Sequence, residues 1–254
     1  MHSISIADVD NDGQTEIVAG GKQSHGTPGV YVYIIDGSTG IVEWKSIHLG
    51  NSQSGVYALD TADIDNDGTM EIVAVNDSVF VIDGITHRQW QSMLRGCYGL
   101  ALFDTDMDGI KEVIVGTESG NIIAFDGETY EEKFNIDIGS SRIAGLQVCD
   151  IIRGSGVEII FASSGSLGVY NLKREKLLWQ SKALGSSAGE NNNIVVTDMD
   201  ADKGIEVLAG TNYTVVQFES TTRSVGLVPD IYRLLLFDDP EEEDPCTGRP
   251  RECQ

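Results

Sequence analysis

The 254-residue chain is short of basic residues, histidine, cysteine and long apolar runs, and each shortage closes off a class of function. Lys and Arg number 17 against 40 Asp and Glu, a formal net charge of −23, which argues against nucleic acid or an anionic membrane surface as partner. The four histidines, His2, His25, His48 and His87, are scattered, with no HExxH and no paired metal spacing; each reads as a surface or turn residue. Four cysteines are too few for a disulfide framework and contain no CxxC zinc pair. Cys97 and Cys149 lie in apolar strand-like runs and read as small buried residues, while Cys246 and Cys253 are close enough in sequence to close one small disulfide. No apolar run approaches the ~18 residues of a membrane helix. The N-terminal Met1-His2-Ser3-Ile4-Ser5-Ile6-Ala7 has no basic region followed by an apolar core, so it is not a signal peptide. It reads as the interior of a strand, which suggests a domain cut from a longer precursor.

What is present is a repeated acidic nonapeptide. Asp8-Val9-Asp10-Asn11-Asp12-Gly13-Gln14-Thr15-Glu16 returns as Asp63-Ile64-Asp65-Asn66-Asp67-Gly68-Thr69-Met70-Glu71 and as Asp104-Thr105-Asp106-Met107-Asp108-Gly109-Ile110-Lys111-Glu112. Alternate residues of a tightly turned loop all point inward, and Ca²⁺ takes six to eight oxygens at about 2.3–2.6 Å. Side chains at positions one, three, five and nine would bind, with the backbone carbonyl of position seven (Gln14, Thr69 or Ile110). The glycine at position six permits a backbone angle that a Cβ would penalise. Without an ion, carboxylates 4 Å apart repel at roughly 4 kcal/mol per pair near a surface, and an all-oxygen site suits a hard cation better than zinc or copper. The loop is not an EF-hand, which needs a glutamate at position twelve and flanking helices. Position twelve is Ala19, Ala74 or Val115, and the flanks are β-like, so each loop is expected to close a hairpin.

Aligned on the first aspartate, five units begin at Asp8, Asp63, Asp104, Asp150 and Asp198, in steps of 55, 41, 46 and 48 residues. Strand-type content at this period points to propeller blades. Each unit has a strand entering the loop (residues 3–7, 56–62, 100–103, 145–149 and 194–197) and an apolar strand leaving it. A third strand (30–35, 79–82, 122–125, 167–170 and 214–218) ends in most units at Asp36-Gly37, Asp83-Gly84, Asp126-Gly127 or Asn171, which are turn residues. Trp44, Trp90, Phe134 or Trp179 then marks a fourth strand and is expected to pack between blades. Unit five fits less well, with residues 225–228 in that slot. The prediction is an all-β fold: a β-propeller of four-stranded antiparallel blades over residues 1–228, as a small closed ring or part of a seven- or eight-bladed one. Residues 229–254 follow as an apolar docking segment and an acidic flexible tail. Unit one carries a Gly- and Pro-containing insertion at residues 20–29, a place to look for function.

The fourth and fifth loops depart from the motif. Asp150-Ile151-Ile152-Arg153-Gly154-Ser155-Gly156-Val157-Glu158 keeps only its first and ninth carboxylates, so no calcium is expected there. Asp198-Met199-Asp200-Ala201-Asp202-Lys203-Gly204-Ile205-Glu206 keeps Asp198, Asp200, Asp202 and Glu206, but its glycine has moved one place; a weaker, distorted fourth site is expected. Gly185-Ser186-Ser187-Ala188-Gly189 matches the GxSxG of hydrolases but lacks the strand-to-helix setting that motif needs. Asn76-Asp77-Ser78 and Asn212-Tyr213-Thr214 match the glycosylation pattern.

Over residues 3–228 the repeats resemble the FG-GAP/VCBS type of calcium-binding propeller repeat, of which integrin α-subunit heads are the familiar case. The resemblance implies Asp8, Asp10, Asp12 and Glu16, and their equivalents Asp63, Asp65, Asp67, Glu71, Asp104, Asp106, Asp108 and Glu112, as side-chain ligands. The ninth position is Glu where Asp is common in the family, and the Phe-Gly and Gly-Ala-Pro signatures are not evident. The outer strands are also similar to PQQ-type propeller repeats. The leading expectation is a non-catalytic, calcium-stabilised binding or adhesion module of a cell-surface, secreted or periplasmic protein, presenting mouth loops to a protein or glycan, with further blades from a parent chain as an added partner. The alternative is a propeller enzyme, polysaccharide-active (lyase-like) or PQQ-type, for which Lys, Arg, His or Tyr residues from several blades would have to converge at a mouth.

Overall fold

The structure is a computed structural model that describes residues 3–21, 29–49, 55–139, 141–152, 156–185, 193–198, 205–211, 215–220 and 232–235. These residues form five four-stranded antiparallel sheets, each a meander in chain order. Sheet one is β1 (Ser3–Ala7), β2 (Glu16–Gly20), β3 (Val32–Asp36) and β4 (Val42–Lys45); sheet two is β5 (Ala58–Ala62), β6 (Glu71–Asn76), β7 (Ser78–Asp83) and β8 (Gln89–Gln91). Sheet three is β9 (Cys97–Phe103), β10 (Glu112–Thr117), β11 (Asn121–Phe125) and β12 (Glu132–Asp137); sheet four is β13 (Ile143–Cys149), β14 (Glu158–Ser163), β15 (Ser166–Asn171) and β16 (Lys176–Gln180). Sheet five is β17 (Ile194–Thr197), β18 (Ile205–Gly210), β19 (Val215–Ser220) and β20 (Tyr232–Leu235). No helix among the described residues is long and apolar enough to cross a membrane.

The first strands neighbour one another in the order β1, β5, β9, β13, β17, which makes them the inner strands of a β-propeller. The second strands read as unbroken Ile/Val/Phe runs because each is covered on both faces; β6, β10 and β14 are buried at every residue. Four apolar layers fill the gaps between successive sheets. Each fully buried Ile or Val in them, such as Ile72, Val113 and Ile159, contributes about 1.5–3 kcal/mol relative to exposure.

The outer-strand aromatics pack between blades as expected. Trp44 stacks on His87 of sheet two at 4.5 Å, Trp90 on Tyr130 of sheet three at 4.8 Å, and Trp179 meets Phe218 of sheet five edge-on at 4.9 Å. Phe134 packs into the layer between sheets three and four. The Asp-Gly turns press inward on the preceding blade. A Cβ on Gly84 would lie 2.0 Å from the Val9 carbonyl oxygen, and one on Gly127 2.6 Å from that of Ile64, so only glycine fits where blades meet at these turns.

The run of sheets is open. On the face of sheet one that looks away from sheet two, Ile6, Ile17, Ile35 and Val42 lie in one cross-strand row, and Ile6 is 67% and Val42 52% exposed. The counterparts of Ile17 in sheets two to four, Ile72, Val113 and Ile159, are fully buried against the preceding sheet. At the other end Val195 is 56% exposed on β17. Sheet five takes its outer strand from Tyr232–Leu235, so it runs on past residue 228, the boundary expected from the sequence. Residues 22–28 of the first insertion, 186–189 of the GxSxG match, 212–214, the slot at 225–228 and the tail with Cys246 and Cys253 lie outside the described residues.

Candidate metal sites in the inner hairpins

The acidic nonapeptides form the turns between first and second strands, and three of them share one frame. Asp8 accepts Asp12 N–H at 3.1 Å and Gly13 N–H at 3.0 Å on its two oxygens. Asp63 holds Asp67 and Gly68, both at 3.1 Å, and Asp104 holds Asp108 and Gly109 at 3.2 and 2.9 Å. Position five then accepts from position seven: Gln14 N–H to Asp12 at 2.7 Å, Thr69 to Asp67 at 2.7 Å, Ile110 to Asp108 at 2.8 Å. Gly13, Gly68 and Gly109 take φ of 86°, 90° and 96°, the left-handed region expected for position six. Position four is left-handed too: Asn11, Asn66 and Met107 have φ of 60°, 61° and 64°. Asparagine tolerates this region better than most residues, a signal the sequence carried and the motif reading passed over.

The frame brings together the ligand atoms of Asp8, Asp10 and Glu16, of Asp63, Asp65 and Glu71, and of Asp104, Asp106 and Asp108, each set within 4.8 Å. These all-oxygen sets fit a hard divalent cation. Asp12 is turned aside, with its second oxygen accepting from Gln14 Nε2 at 2.9 Å. In loop five, Glu206 is fully buried at the start of β18 and Asp198 follows β17, whereas Asp200 and Asp202 lie outside the described residues.

The ninth glutamate is buried in every hairpin. One of its oxygens reaches back to the N–H of position two: Val9 to Glu16 at 2.9 Å, Ile64 to Glu71 at 3.0 Å, Thr105 to Glu112 at 2.7 Å and Ile151 to Glu158 at 3.1 Å. Burial, reinforced by Asp65, Asp67 and Asp63 and opposed by the Ile64 hydrogen bond, pushes the Glu71 carboxyl up to about 7. Burial and the charges of Asp10, Asp12 and Asp8 raise Glu16 in the same way. Among the described residues no lysine or arginine forms an ion pair with the carboxylates of hairpins one or two; the Lys111 ammonium reaches hairpin two only at the Asp63 backbone carbonyl, at 2.9 Å.

The surroundings of the hairpins differ. In hairpin four, Asn171, which stands where the other blades have the turn aspartate, donates its amide to Glu158, and Ile152 N–H adds a second backbone bond at 3.1 Å. Glu158 thus holds this hairpin by three bonds where the third and fifth aspartates of the motif are missing. In sheets one, three and four the register of the outer strand slips by one residue just before the aromatic, leaving Glu43, Lys133 and Leu178 as the extra residue of a bulge, a device that re-aims a side chain. Sheet two has no such slip, and Gln89 pairs directly with Ile82. Glu43 is raised by desolvation and by the charges of Asp36, Asp10 and Asp12. Lys133 places its ammonium 2.7 Å from Glu112, 2.9 Å from Asp106, 3.4 Å from Asp108 and 3.8 Å from Asp126.

At the opposite mouth, where the inner strands begin, the Tyr57 and Tyr98 rings meet at 4.6 Å with a 35° tilt and the Arg142 guanidinium lies 4.9 Å above the Tyr98 ring. Aromatic and basic residues from blades two, three and four thus converge there. Desolvation, with Tyr57 and Glu118 nearby, raises the Tyr98 phenol against the pull of Arg142, which disfavours a phenolate base. Burial pushes the thiols of Cys97 and Cys149 up to about 12, so both are inert, as their apolar settings suggested. Asn76 is 1% exposed and donates to the Leu49 carbonyl at 2.6 Å, which removes it as a glycosylation acceptor.

Five meandering sheets about common inner strands, with acidic turns at one end, define a β-propeller repeat protein. The family model of the FG-GAP-like repeat matches residues 3–74, the first blade and most of the inner hairpin of the second, so that part of the chain is similar to an FG-GAP-like repeat within a β-propeller. No curated protein matches it. Among solved structures it is similar to BBS1N, crystallised in complex with ARL6DN and soaked with lead, with a TM-score of 0.66 at 14% identity over 91% of this chain and 67% of that one. It is also similar to the β-propeller domain of Cps50 (Swd1) from Myceliophteria thermophila, with a TM-score of 0.58 at 13% identity over 93% and 73% of the two chains. The V. cholerae biofilm matrix protein Bap1 gives 0.58 at 17% identity; 86% of this chain is covered, and it spans 37% of Bap1. At these identities the likeness concerns the fold.

Proposed function

We propose that the chain is a non-catalytic interaction module whose inner hairpins bind Ca²⁺ for architecture, and that it serves in a secreted, periplasmic or cell-surface protein. One observation carries the metal reading. In hairpins one and two, three carboxylates converge within 4.8 Å with no lysine or arginine ion-paired to them among the described residues, and the buried member of the second set is raised to about 7. A divalent cation supplies the charge these sites lack. Extracellular calcium fills even weak oxygen sites of about 10⁻⁴–10⁻³ M, which is why the setting is placed outside the cytoplasm.

The partner is a protein or glycan met at the mouth opposite the hairpins, where the cluster of Tyr57, Tyr98 and Arg142 offers aromatic faces and a cation. That the similar BBS1N was crystallised with a partner and that Bap1 is a biofilm matrix protein supports this reading. Thermal melting with Ca²⁺ and then with a chelator tests it. Two sites filled at 100 times their Kd add about 2.7 kcal/mol each, so the melting temperature rises by roughly 10–20 °C for a chain of this size. An unchanged melting temperature removes the metal from the account.

A further inference from the structure

Three hairpins share the acidic motif, and one of them already contains a positive charge. Lys133 comes from the outer strand β12, and the register slip between Phe134, paired with Ala124, and Glu132, paired with Phe125, turns it toward the third loop. Its ammonium contacts Glu112, Asp106 and Asp108 at 2.7, 2.9 and 3.4 Å, with Asp126 at 3.8 Å. Four carboxylates from both sides of the loop thus converge on one nitrogen whose side chain is 26% exposed. The equivalent bulge residue in sheet one is a glutamate, Glu43, which adds negative charge to loop one, and sheet two offers only the neutral Gln89.

We propose that Lys133 is the resident cation of the third hairpin: its ammonium stands where a divalent ion is proposed in hairpins one and two, so that this blade closes without metal and gains a Ca²⁺ site when the lysine is removed. The gain of a site rests on the calcium reading of the motif; the clamp itself does not. An ammonium held by several carboxylates at hydrogen-bond distance neutralises them as a bound ion would, with one charge in place of two. Desolvation works against the charged amine, but the hydrogen bonds to Glu112 and Asp106 outweigh it and hold Lys133 above the ordinary lysine range.

The test compares wild type, Lys133→Gln and Lys133→Arg by thermal melting in chelator and by calorimetric titration with Ca²⁺ alone. In chelator, K133Q melts lower than wild type by on the order of 5 °C, and K133R stays close to wild type. In titration, K133Q binds one more Ca²⁺ per chain than wild type, and Asp104→Asn removes that extra ion from K133Q while leaving the wild-type count unchanged. If K133Q melts with wild type in chelator, or if D104N lowers the wild-type calcium count, the lysine is not the resident cation and the proposal falls. If K133Q melts lower while no variant binds Ca²⁺, the clamp stands and the calcium reading of the other hairpins fails.

Discussion

Hairpins two and four both bury a ninth glutamate and surround it differently. In both, a buried glutamate at position nine ties the loop shut by accepting the N–H of position two, from Ile64 in one and Ile151 in the other. In hairpin four Glu158 also accepts from Ile152 and Asn171. In hairpin two the glutamate faces Asp63 and Asp65. The ninth glutamate therefore persists in a loop that has lost the third and fifth carboxylates, so its first duty is to the backbone and its service to an ion is added. A metal motif read only as a ligand set misses this, because the ninth glutamate holds the backbone of hairpins one to four whether or not the third and fifth carboxylates are present.

The sharpest way to break that comparison is Glu158→Ala. Two backbone N–H groups and the Asn171 amide lose their acceptor in a buried site, at about 1–3 kcal/mol for each orphaned donor. The expected loss is about 3–5 kcal/mol by urea denaturation, the same with calcium and with chelator. A loss that calcium offsets would mean that hairpin four also holds an ion.

The next effect separates the hairpins by pH. The folded protein raises Glu71 to about 7 from an ordinary value of 4.5, so it holds that proton more tightly than the unfolded chain does. The resulting stability is complete below about 4.5 and is lost as the pH rises through about 7. In chelator, the protein should lose on the order of 2–3 kcal/mol between pH 4.5 and 8, as read from denaturation midpoints. Glu71→Gln should flatten that profile, and saturating calcium should abolish it in wild type. A wild-type profile in chelator that is level over this range would place the Glu71 carboxylate in a site already neutralised by the protein.

The sequence showed the hairpins, the blade period and the inter-blade aromatics because each is written in contiguous residues. Alternating carboxylates with a glycine at position six need no knowledge of the rest of the chain, and Trp44, Trp90 and Trp179 each come seven or eight residues past a turn residue. It did not show Lys133 or Asn171, because both reach their loops from another strand. Whether Lys133 points at loop three depends on a one-residue slip between β11 and β12, and a one-residue change of register swaps the face a side chain takes. The open face of sheet one was equally out of reach, since Ile6 and Ile17 read as ordinary strand residues until the place of a preceding sheet is known. The outer strand Tyr232–Leu235 stands apart from the pattern of the other four blades, having neither their turn residue nor their tryptophan or phenylalanine spacing.

The smallest expected effect concerns position four, where hairpins two and three differ by one residue in the same backbone state. Asn66 and Met107 both sit in the left-handed region, at φ 61° and 64°. Asparagine occupies it at little cost, whereas a residue with a longer side chain is disfavoured by about 1 kcal/mol. Met107 is also 82% exposed, so its side chain recovers little of that cost by burial. Met107→Asn should therefore raise stability by about 0.5–1 kcal/mol, and Asn66→Met should lower it by a similar amount, both in chelator. Asn11→Met should cost more than either, because the Asn11 amide also donates to the Gly68 carbonyl at 2.9 Å and ties loop one to loop two. Equal losses for Asn11→Met and Asn66→Met would mean that this bridge between neighbouring hairpins contributes nothing.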